Sequence, residues 1–164
     1  MKLTHGRNVS GDVTCVAWSY TGYIGCVGIL SEFFVSDPGR AATYDLEAWT
    51  EDDIFLCGDL LPMHMELLWA VLQGREWEPE MADEFEPVAG RNEEDSWLVR
   101  FPDGLTAALA EFDDDRLNRA RVDWAHTEEI AVDPAELAHV ISGLQRLSKH
   151  ARTTGKSVYI WGSL

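Results

Sequence analysis

The chain is short of positive charge. Of its 164 residues only 13 are Lys or Arg, against 29 Asp and Glu, and the formal charge is −16. Binding to a nucleic-acid backbone depends on basic side chains that displace counterions, so this composition speaks against nucleic acid as a partner. An anionic membrane surface is disfavoured by the same repulsion. A cationic protein partner is favoured, because opposite charge steers encounter; solubility alone is the competing explanation. Cysteine is also scarce. Cys15, Cys26 and Cys57 form no C-x-x-C and are odd in number, which excludes a secreted disulfide framework. Long apolar runs are missing as well: nothing approaches a spanning segment, and Met1 to Asp12 contains no apolar signal-peptide region. A reduced cytoplasmic compartment is the expectation, with the thiols acting as small apolar groups.

Recognisable catalytic patterns are missing too. Gly22, Gly25 and Gly28 recur every third residue, but the spacing fits neither G-x-G-x-x-G nor G-x-x-x-x-G-K-[ST]. Close backbone approach inside a sheet is the better explanation. There is no nucleophile elbow G-x-S-x-G and no zinc-binding H-E-x-x-H.

What is present suits one domain spanning 1–164, with enough length to bury a core without metals or disulfides. Residues 13–35, rich in β-branched and aromatic side chains, predict two strands joined near Ser19 to Gly22. Asp37-Pro38-Gly39 reads as a turn, and Tyr44 to Asp59 as a short helix with Leu46, Trp49 and Ile54 inward. Pro62 opens a helix that Gly74 ends. Residues 75–95 hold nine carboxylates against Arg75 and Arg91, punctuated by Pro79, Pro87 and Gly90, and predict an exposed acidic loop. Ser96 to Phe101 predicts a strand, Leu105 to Phe112 a helix, and Asp113 to Asp115 the start of another. Asp133-Pro134 is a strong helix start. Leu137, Val140, Ile141, Leu144, Leu147 and Ala151 give that helix its apolar face, Gly155 its end, and Ser157 to Ser163 a closing strand. Strands at both ends with helices between them predict an α+β fold with one small sheet that joins the N-terminal strands to the C-terminal strand.

Three constellations invite a chemical role. Asp123, His126 and Glu129 recur every third residue, but such a row rotates by about 60° over its length and lacks partners from other elements. No metal site and no cofactor are expected. Asp113 to Asp115 suits magnesium by ligand type and suits a helix N-cap equally well. Glu66, inside the apolar stretch MHMELLWAVL, would become a proton donor if burial raised its pKa. No residue is assigned a catalytic role.

Met65 to Gly74, MELLWAVLQG, followed by a helix ending in KHARTTGKSVYIW, resembles the YfbM-like family of bacterial proteins of unknown function. Those proteins pair a Trp-containing helix ending in Gly with a closing helix–strand unit. The stretch ALAEFDDDRLNRARVDWAHTEEI looks like a segment of uncharacterised small actinobacterial proteins. The resemblance implies a shared helix–strand unit; it carries no assigned active site, so no catalytic residue is transferred and the function stays open.

The leading expectation is therefore a non-enzymatic interaction protein, in the manner of an immunity or antitoxin-like inhibitor. Its partner surface would comprise Glu76, Trp77, Glu78, Glu80, Asp83, Glu84, Phe85, Glu86, Glu93, Glu94 and Asp95. Trp77, Phe85 and the nearby Trp97 would supply apolar anchors, since aromatics dominate binding energy and rim charges do not. A small enzyme or ligand-binding protein is the alternative, with a pocket lined by Trp18, Tyr20, Tyr23, Trp49, His64, Glu66 and Trp69. A DNA-mimicking protein is the third, and it requires carboxylates spaced along one elongated face.

Overall fold

A computed structural model describes residues 29–43, 49–88 and 96–163. Its first strand, β1 (Leu30–Ser36), alternates side chains across a sheet. Ser31, Phe33 and Val35 go one way; Glu32, Phe34 and Ser36 go the other. The remaining strands are β2 (Ile54–Gly58), β3 (Glu86–Pro87), β4 (Ser96–Arg100) and β5 (Ser157–Ser163). They line up in the order β2-β1-β5-β4-β3, with every neighbour antiparallel. The last strand in sequence is thus central, placed between β1 and β4.

The helices are α1 (Pro38–Ala41), α2 (Pro62–Gln73), α3 (Asp103–Glu111), α4 (Asp114–Ala125) and α5 (Ala138–Thr154). The last four bury their apolar stripes in one core on one face of the sheet, where α5 and α3 lie on the strands and α4 packs on α2 and α5. Phe33, Val35, Val99, Val158 and Ile160 meet Leu68, Leu105, Leu109, Trp124, Leu144 and Leu147 there. The Trp124 indole N–H donates to the His64 carbonyl at 3.0 Å and ties α4 to α2. The opposite face carries a smaller cluster of Phe34, Leu98 and Tyr159, with Ala41, Trp49, Ile54, Val88 and Trp161 around it. The α+β architecture, with N- and C-terminal strands in one sheet, is the one the sequence predicts.

Helix ends follow the expected chemistry. Asp113 caps α4 by accepting from the Arg116 N–H at 2.8 Å. Gly74 and Gly155 close α2 and α5 with φ of 69° and 67°, a region that favours glycine. Other elements differ from expectation. Within the segment Tyr44 to Asp59, read as holding a short helix, Ile54 to Gly58 instead forms β2, because Phe55 and Cys57 pair across to Phe33 and Ser31 of β1; tertiary pairing overrides local propensity. Asp37-Pro38-Gly39 opens the single-turn α1, capped by Asp37 accepting from Arg40 N–H at 3.1 Å. Asp133 caps a 3-10 turn, Pro134–Leu137, and α5 follows it. The expected strands before Ile29, the Leu46 position and Glu93 to Asp95 lie outside the described residues.

Candidate functional site

The acidic segment after α2 is a strap, not an open loop. Gly74 turns the chain, and Arg75 N–H returns to the Ala70 carbonyl at 3.1 Å. Pro79 then starts a 3-10 turn, Pro79–Glu84, which aims Met81 inward. Phe85 follows it into the core and meets Phe101 edge-on at 5.9 Å. Beyond it, Glu86 and Pro87 pair with β4. Two buried side chains and a strand pairing therefore pin the strap at its centre and far end.

Side-chain hydrogen bonds pin its near end. The Trp77 indole N–H donates to Glu66 Oε2 at 3.1 Å. The Trp69 indole N–H donates to Glu84 Oε2 at 2.8 Å, and Arg75 reaches Glu84 Oε1 at 3.0 Å. Glu86 pairs with Arg100 at 2.9 Å, and Arg100 also holds Asp103 at 2.6 Å. Among the described residues, Glu76, Glu78, Glu80 and Asp83 are exposed and make no ion pair. Trp77 is 38% exposed.

These positions sort the residues expected from sequence. Phe85 was expected as a partner anchor but is 3% exposed, so it anchors the strap itself. Trp97 is half-buried on the helix-bearing face, its ring against Gly162, where any Cβ would run into it. Trp77 is the aromatic that the strap presents. Glu84 and Glu86 are engaged within the chain.

The described residues among those expected to line a pocket, Trp49, His64, Glu66 and Trp69, are not gathered in one. Trp49 sits on the face of the sheet away from α2, 4.8 Å from the Phe34 ring, with Arg40 stacked over it at 4.4 Å. Trp69 packs against the main core, on the helix-bearing side. The buried Glu66 carboxylate accepts from Trp77. His64 works as a helix cap: its Nδ1 accepts from the Leu61 N–H at 3.1 Å, which requires the neutral ring. Burial holds that ring below the usual imidazole pKa, partly offset by Glu129. Trp18, Tyr20 and Tyr23 lie outside the described residues. An open groove of about 270 Å³ between α2 and α4, lined by Gln73, Gly74, Arg116, Arg119 and Asp123, contains none of the described pocket candidates.

Asp123, His126, Glu128 and Glu129 are exposed around the end of α4, with Trp124 buried among them. Among the described residues no group of His, Cys, Asp and Glu could hold a metal ion. Gly155-Lys156-Ser157 runs from a helix into a strand, the reverse of a phosphate loop. No helix among the described residues is long and apolar enough to cross a membrane.

Two polar sites carry no sequence signal. In the first, Asp53 Oδ2 accepts from the Thr50 hydroxyl at 2.7 Å and the Thr50 N–H at 3.2 Å, while His150 Nε2 lies 3.1 Å from Oδ1. Burial works against this carboxylate but is outweighed by the Thr50 and His150 bonds and the Lys156 charge, which hold it below the usual range. Arg146 completes the clasp by donating to the carbonyls of Glu51, Asp52 and Ile54 at 3.1, 3.0 and 2.7 Å. Its partners are more than 90 residues away in sequence, beyond the reach of any local pattern. The second site is Glu32, 3% exposed on the face away from the long helices, between Leu56 and Trp161 in the strand register. Among the described residues its Oε2 has no hydrogen-bond partner, and burial raises its pKa. Comparison with protein-family models, with curated proteins and with solved structures found no match.

Proposed function

We propose that this is a non-enzymatic, cytoplasmic interaction protein that binds a cationic protein partner through the strap from Glu76 to Glu86, as an immunity or antitoxin-like inhibitor would. One observation carries the proposal: Glu76, Glu78, Glu80 and Asp83 point outward, without ion pairs among the described residues, from a segment that Met81 and Phe85 fix to the core. A surface already held in place loses little conformational freedom on binding. Its carboxylates would steer a basic partner, and the half-exposed Trp77 would supply an apolar anchor. The small-molecule alternative is less well supported, because Trp49 and Trp69 lie on opposite sides of the sheet and Glu66 is occupied by Trp77.

The test is a pull-down from native lysate with the wild-type chain and with the variant E76Q/E78Q/E80Q/D83N. A partner held by the wild type, released by salt and absent from the variant is the expected result. Equal recovery by both chains removes the strap as the binding surface.

A further inference from the structure

We infer that Trp77 is the seat for an arginine side chain of the partner, so that recognition is by a guanidinium stacked on the indole with carboxylates beside it. This inference rests on the strap being the binding surface. It starts from how the chain treats two of its other partly exposed rings. Arg40 lies over Trp49 at 4.4 Å, and Arg116 over Phe112 at 3.4 Å. Trp77, the exposed large aromatic of the strap, has no Arg or Lys stacked on it among the described residues. The basic residue nearest in sequence, Arg75, is bound to Glu84 instead.

The indole is also prepared for such a contact. Its N–H is taken up by the buried Glu66 carboxylate at 3.1 Å, which fixes the ring and leaves its polar atom satisfied. An incoming group therefore meets the ring, not the indole N–H. Tryptophan is the best of the aromatic rings for a cation, and arginine is its commonest partner. Guanidinium is planar and less strongly hydrated than ammonium, so it loses less on leaving water and can still share carboxylates at its edges. Glu76 and Glu78 flank Trp77 in sequence, and both are exposed.

The experiment titrates the whole chain with a short Gly/Arg peptide and with its Gly/Lys counterpart at low salt. It follows the indole N–H resonances by NMR, with Trp77 assigned from its absence in W77F. The Arg peptide is expected to move the Trp77 resonance and to bind more tightly than the Lys peptide. W77L should weaken the Arg peptide about two- to five-fold, as for an exposed cation–aromatic contact, with W77F falling between it and wild type. Thermal melts of W77L and W77F confirm that each is folded. E76Q/E78Q should weaken both peptides and flatten the salt dependence. If the carboxylate variant loses affinity and W77L does not, the Trp77 seat is wrong while the strap survives. If W77L loses affinity and the carboxylate variant does not, the seat stands and the acidic-strap proposal fails. Equal binding of the two peptides overturns the arginine preference, and no movement of the Trp77 resonance overturns the inference.

Discussion

Adjacent residues of β1, Ser31 and Glu32, face opposite sides of the same sheet and are both buried, yet their fates differ. Ser31, on the helix-bearing side, gives its hydroxyl to the Leu60 carbonyl at 2.5 Å. Glu32, on the other side, has a carboxyl oxygen with no partner among the described residues and a raised pKa. The helix-bearing side also leaves Ser148 Oγ and Trp97 Nε1 without partners among the described residues, but those groups are neutral. An unpaired carboxylate costs far more to bury, and that cost is what raises the Glu32 pKa. Burial alone therefore says little about a polar group. What it meets across the strand decides.

The largest expected effect compares the two packed faces directly. Phe33→Ala should cost about 3–5 kcal/mol, as full truncation of a core aromatic does. Phe34→Ala, one residue on, removes the ring stacked on Tyr159 at 5.4 Å and tilted on Trp49 at 4.8 Å. It should cost a similar amount in urea unfolding. A loss below about 1 kcal/mol would show that the second face is not packed like a core.

Next is the fit of α5 on the helix-bearing face. A Cβ at Gly143 would lie 2.6 Å from the Phe55 ring, so Gly143→Ala must push that ring aside. We expect a loss of about 1–3 kcal/mol, despite alanine's better helix propensity. A gain in stability would mean that Phe55 moves freely.

Glu32 gives a smaller effect with a distinctive pH dependence. Its folded pKa lies above the unfolded value of about 4.3, so its contribution is complete below that pH and is lost as pH rises through the folded pKa. Glu32→Gln should remove this decline and be the more stable chain at pH 8, by about 1 kcal/mol. Parallel stability–pH curves for the two chains would refute it.

The smallest effect concerns His64, on the helix-bearing side, whose pKa is shifted down. The unfolded state then takes up its proton first, so stability falls as pH drops below about 6.5 and stops falling once the folded pKa is passed. His64→Ala should lose this acid-side slope. At neutral pH it should cost about 0.5–1 kcal/mol for the missing cap. A slope unchanged by the substitution would mean that His64 is not the group responsible.

The sequence was most legible where one helix turn decides one contact. The Pro62 start and Gly74 stop of α2 and the apolar face of α5 could all be read locally, because capping and the 3.6-residue period act over a few residues. β2 was not legible, since Ile54 to Gly58 sits among carboxylates and becomes a strand only through β1. The Asp53–His150–Arg146 clasp was hidden for the same reason. The candidate surface was legible in part: its carboxylates show in composition, and Trp77 was named. That Phe85 and Met81 turn inward while Glu84 and Glu66 serve indoles depends on how the strap folds back over α2.

The placement of β5 has a consequence for biosynthesis. Seven residues at 157–163 supply the pairing for both β1 and β4, so neither of those strands can join the other while the ribosome is still making what lies between them. α2, α3 and α4 and the β1–β2 and β3–β4 pairs can form as they emerge, but the two halves of the sheet join only through β5, and pairing across long sequence separations is slow to form. Until then β1 holds Phe33 and Phe34 side by side without the strand that will shield them. The nascent chain thus depends on late closure by its last described strand, and that interval is when a chaperone would find it.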